Sequence, residues 1–165
     1  MGNGWVLSRA ESPYYNAYGQ EGEEISSTTE GRHVLVTEEE LIHPLHADPD
    51  DLVRKGDPVC FMDGVGVALK TATSLTEAVP IDTEGIWRLA VVNSGDIFGP
   101  IYVGQTLFID FDGLVTDDWT FGGAIFGYAL QSIADPNDGP VTEIIAVKVH
   151  WGGPWWLWWW WFDGN

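Results

Sequence analysis

His43 and His46 stand three residues apart in HPLHADPDD, with Asp48, Asp50 and Asp51 following. On a helix, imidazoles at that spacing beside carboxylates would make half of a metal site. Pro44 lies between them and argues against the helix, so a solvated acidic loop without metal is the expectation. A second acidic group, Asp110, Asp112, Asp117 and Asp118 in DFDGLVTDD, lacks the third loop ligand and the distal Glu of a helix-loop-helix calcium site. It reads as a hairpin with acidic flanks. DPNDG, from Asp135, is explained by turn chemistry. There is no G-x-S-x-G, no H-E-x-x-H, no phosphate loop with its Lys and no Cys pair. His150 has no Ser or Cys partner in sequence, and nothing marks any two of the 25 acids as a glycosidase pair. No catalysis, no cofactor and no metal are expected.

The elements that would hold such groups read as strands. HVLVT, DPVCFM, GVGVALK, EAVPI, GIWRLAVV, QTLFIDF, AIFGYALQSI and TEIIAVKVH are short runs rich in Val, Ile and aromatics, bounded by Gly, Pro and Asp. Asp112-Gly113 suits a two-residue hairpin turn, and DPNDGP should join the last two strands. TEEELIHPL could open a helix with Thr37 as cap and Glu40 at the third position, stopped by Pro44 within two turns, or it could run extended. Strand and turn spacing without intervening helical patterns predicts an all-β fold, a small β-barrel or sandwich-like body with little helix.

Two arms flank that body. Residues 1–32 combine Gly, Ser and Glu with Tyr14, Tyr15 and Tyr18 and show no periodicity, so they read as a flexible arm whose rings would order on a partner. The body spans 33–152. Residues 153–165 form a second arm, carrying Trp155, Trp156, Trp158, Trp159, Trp160, Trp161 and Phe162 around Leu157. Extended at about 3.3 Å per residue, those eight residues reach roughly 26 Å and are apolar on both faces, so both faces need cover. That cover could be the chain's own barrel, a sister subunit or another protein partner, or a glycan stacked on the rings.

Charge narrows the partners. Seven Lys plus Arg face 25 Asp plus Glu, a formal charge of -18. Nucleic acid and anionic membranes are poor partners, and copies packed side by side repel one another. No basic run precedes an apolar stretch at the N-terminus, so no secretory signal is expected. No apolar segment approaches the roughly 20 residues that span a bilayer. The single cysteine, Cys60, reads as a buried, inert thiol.

The stretch KGDPVCFMDGVGVALKTATSLTEAVPIDTEGIWRL resembles the capsid decoration, or cement, proteins of tailed bacteriophages. Gly-Asp-Pro-Val leads into a strand, then come Gly-Val-Ala-Leu and AVPIDTEGIWRL. The later VGQTLFIDFDGLVTDD, IFGYALQSI and TEIIAVKVHW are similar to that family's Gly-led strand, Asp-Gly hairpin and charged last strand. The resemblance covers roughly residues 52–151. It implies a compact β-rich protein on the outer surface of the virion's capsid, bound as a homotrimer to the major capsid protein and stabilising the shell against internal DNA pressure. It also implies an arm that adds to the shell or to a neighbour, a role the tyrosines fit. The long N-terminal extension and the tryptophan tail depart from the family pattern. The competing reading is a phage or cell-surface adhesin that binds glycans through the aromatic tail.

Overall fold

The structure, a computed structural model, describes residues 21–22, 24–26, 33–47, 49–95, 99–120, 123–135 and 139–151. Alternation of apolar and polar residues, with β-branched side chains on the buried face, shapes the ten strands among the described residues. β1 is Glu24–Ser26, β2 His33–Thr37, β3 Pro58–Phe61, β4 Gly64–Ala68 and β5 Ala78–Asp82. β6 is Glu84–Asn93, β7 Thr106–Ile109, β8 Val115–Thr116, β9 Ala124–Ala129 and β10 Val141–His150. The expected all-β class with little helix is what forms: helix among the described residues is confined to one 3-10 turn, Glu38–Glu40. Each of the eight predicted strands is present.

Five strands close into a barrel in the order β6-β10-β9-β7-β8. The closing seam is parallel, Val91 against Val115 and Val92 against Thr116, while the other neighbours run antiparallel. Closure removes the free edges that an open sheet of these apolar strands would present. Trp87, Leu89 and Val91 of β6 alternate inward to meet Val147 and Val149 of β10, Leu107 and Ile109 of β7, and Phe126 of β9. The register between β7 and β9 slips between Leu107 and Phe108 and skips Phe126, a bulge that bends β9 around the barrel. Gly127 sits beside it because a Cβ there would come within 2.0 Å of the Lys148 carbonyl oxygen. β1 adds to the outer edge of β6. It falls inside the stretch read from sequence as an aperiodic arm.

The second sheet, β2-β5-β4-β3, curls on itself, because Ile42, just beyond β2, bridges Cys60 of β3 at the opposite edge. All five residues of β4 are buried. Cys60, Val65 and Val67 face the barrel core, whereas Val59, Ala68, Val79 and Ile81 enclose a second core with Leu41, Val53 and Ala72. The sheet is thus sandwiched. Cys60, read from sequence as a buried thiol, is buried, and desolvation raises its pKa, with Asp63 raising it further. Labelling by an aromatic disulfide at pH 8 is therefore expected to be at least about tenfold slower in the native chain than in denaturant; equal rates would mean that the β3 face opens.

Two local forecasts are refined. Thr37 and Glu40 do meet, the Thr37 amide donating to Glu40 Oε2 at 3.3 Å, but they cap a 3-10 turn instead of a helix. The turn after β7 spans three residues, not two. The Asp110 carboxylate accepts from the amides of Asp112 and Leu114, both at 2.9 Å, and the Asp110 amide donates to the Leu114 carbonyl. Gly113, at φ 75°, takes the left-handed position such a loop needs.

Candidate functional site

The two histidines singled out by their spacing come together, although no helix carries them. Their rings stack with centroids 5.8 Å apart and planes 16° from parallel. Three pieces of backbone hold them. The 3-10 turn places Glu38, 2% exposed, so that its Oε1 accepts from the Val53 amide at 3.0 Å and lies 3.2 Å from His43 Nε2. The loop around Pro44 brings the Pro44 carbonyl oxygen to 2.9 Å from His43 Nδ1. Gly113 of the β7–β8 hairpin presses on this loop from the barrel side, where a Cβ would come within 2.2 Å of the His43 carbonyl carbon.

The third piece is the turn Arg54 to Asp57, closed by the Asp57 amide donating to the Arg54 carbonyl at 3.0 Å, with Gly56 at φ 93° in the position a type II turn reserves for glycine. It aims Asp57 at the pair. Asp57 Oδ2 lies 2.6 Å from His46 Nε2 and accepts from the Arg54 amide at 2.7 Å. The side chains of His43, His46 and Asp57 are 9%, 13% and 15% exposed. Where the sequence suggested a solvated acidic loop, a half-buried cluster forms. Of the acids expected nearby, Asp51 holds the loop through the His46 amide at 2.6 Å, Asp50 is exposed, and Asp48 lies outside the described residues. Asp57 and Glu38 were not foreseen: Glu38 is one of three successive glutamates, and Asp57 arrives only because the turn folds it back.

The acids of DFDGLVTDD do not converge among the described residues. Asp110 caps its own hairpin, Asp117 Oδ1 accepts from the amide and hydroxyl of Ser94, and Asp118 Oδ1 accepts from those of Thr120. His150 stacks on Tyr128 with centroids 6.1 Å apart.

Tyr14, Tyr15 and Tyr18, and the segment Trp155 to Phe162, lie outside the described residues. The points where the body meets those segments are described. On the N-terminal side, the Gly22 amide donates to the Arg88 carbonyl at 2.8 Å, and Gly22 packs so closely on Gly56 that neither could carry a side chain. On the C-terminal side, Trp151 follows β10, is 44% exposed and meets the edge of Phe61 with centroids 5.9 Å apart. The chain thus departs next to the end of β3, in the second sheet.

No curated protein and no solved structure gives a significant match. A family model described as phage cement protein matches residues 36–149, from within β2 to within β10. β3 to β9, the histidine cluster and the barrel seam fall inside that span, β1 falls outside it, and so do both aromatic segments. The match extends over most of the chain, so this chain belongs to the phage cement protein family, structural components bound to the outer surface of the virion's capsid.

Proposed function

We propose that this chain is a head decoration protein that binds the major capsid protein as a homotrimer and stabilises the assembled shell, without catalysis. The family match across residues 36–149 is the observation that carries this reading. Under it the chain divides into an arm over 1–32, whose end docks through β1 on β6, the decoration body over 33–152, and a tail over 153–165. Tyr14, Tyr15 and Tyr18 order on the shell or a neighbour. Trp155, Trp156, Trp158, Trp159, Trp160, Trp161 and Phe162 bury between subunits or against the capsid.

Physical arguments support this division of labour. A chain of net charge -18 stays dispersed before assembly but resists close packing, so attachment needs a compact source of apolar free energy. The terminal tryptophans supply it without enlarging the body. The test is decoration in vitro. Added to heads that lack cement protein, the purified chain is expected to saturate at a fixed number of copies, to sediment with the heads, and to raise the temperature at which they release DNA. Light scattering is expected to give three times 18.2 kDa in solution or on release from the heads. Heads that take up none of the protein, or take it up without a gain in heat resistance, would overturn the reading.

A further inference from the structure

The geometry points to a divalent transition-metal site, best suited to Zn²⁺, formed by His43, His46 and Asp57 with Glu38 behind them. The ligand atoms of His43, His46 and Asp57 all lie within 4.8 Å of one another and come from two segments held in place by turns. Two imidazoles and one carboxylate are a donor set for Zn²⁺ or a similar metal, not for Ca²⁺ or Mg²⁺, which prefer oxygen alone.

Hydrogen-bond accounting gives the second reason. Both ring nitrogens of His43 face oxygens, Glu38 Oε1 at 3.2 Å and the Pro44 carbonyl at 2.9 Å. A neutral imidazole has one N–H to donate, and ionised carboxylates and carbonyls have none. A neutral His43 ring therefore keeps one nitrogen lone pair that a metal ion would take. Whichever nitrogen of His43 turns to the metal, the other keeps an acceptor, Glu38 or Pro44, which is how ligating histidines are oriented in metal sites. Between His46 Nε2 and Asp57 Oδ2 the metal would take the place of the shared proton. Their 2.6 Å separation would open to about 3.3 Å, the spacing of two tetrahedral ligands each near 2.0–2.1 Å from zinc.

The site would act as a staple. Its ligands tie the loop before β3 to the turn that packs on Gly22, and Gly113 presses the same loop against the barrel. A metal here would fix that loop on the turn, beside Gly22 and the β7–β8 hairpin.

The test uses the full chain stripped with a chelator and titrated with Zn²⁺ in competition with a chromogenic indicator. One tight equivalent per chain is expected, with an unfolding midpoint that rises with Zn²⁺. His46→Ala and Asp57→Asn should each weaken that equivalent by more than the about 10- to 100-fold that outer-shell changes cost. His33→Ala with His150→Ala should leave it unchanged. Co²⁺ bound to the unmodified chain should give the strong visible absorption of a four-coordinate nitrogen and oxygen site, a readout independent of how the variants fold. Many weak equivalents displaced by Ca²⁺, a weak Co²⁺ spectrum of the hydrated ion, or tight binding that survives His46→Ala would each overturn the assignment.

Discussion

Ending the chain at Gly153 is expected to reduce its affinity for heads by about a hundredfold or more while leaving both sheets folded. The cut removes no described residue that pairs or packs: β10 closes at His150 after ten paired positions with β6, and Trp151 retains its edge contact with Phe61. If the tail anchors the chain as proposed, the loss is instead in burial. Each indole covers of the order of 200 Å², worth at most about 5 kcal/mol at about 25 cal/mol/Å². Association and ordering cost roughly 4–15 kcal/mol, so one or two rings would leave little net affinity and six leave a working margin. Repulsion between chains of charge -18 makes that margin more important at low salt. Co-sedimentation with heads measures the effect, and circular dichroism checks the fold. The shortened chain should recover part of its binding as salt screens the repulsion. If it decorates as well as the full chain at every salt concentration, the tail is no anchor.

Much of the fold could be read from the sequence because period-two alternation and Gly, Pro and Asp breakers act locally. HVLVT is β2 to the residue, and GIWRLAVV is β6 less one residue at each end. What could not be read depends on partners distant in sequence. β1 is three residues in a polar stretch, and only the edge of β6 makes it a strand. The parallel seam that closes the barrel rests on Val115 and Thr116, too short a run to announce its neighbour. The same holds at the site. His43 and His46 were visible as a pair, but the sequence pointed to the acids that follow them directly, and the loop spends Asp51 on its own backbone. Asp57 lies eleven residues beyond His46 and reaches it through the glycine turn at Gly56. The aromatic segments are the reverse case, conspicuous in sequence and outside both the described residues and the family match.

Trp87→Ala is expected to cost about 3–5 kcal/mol and to lower the unfolding midpoint by about 10 °C or more. Trp87 is 1% exposed, in the middle of β6, flanked by Glu24 of β1 and Val147 of β10. Its ring fills the barrel core, and its Nε1–H donates to Asp82 Oδ2 at 3.1 Å. Asp82, 2% exposed, ends β5, so this bond joins the barrel to the curled sheet; its Oδ1 accepts from the Glu84 amide at 3.1 Å and shapes the corner between them. The two contributions separate by substitution. Trp87→Phe keeps most of the ring and withdraws one donor from a buried carboxylate, a loss of about 1.5–3 kcal/mol for a bond to a charged group. Chemical denaturation of both variants gives the comparison; an Ala variant within 1 kcal/mol of the unmodified chain would mean that the core closes over the gap.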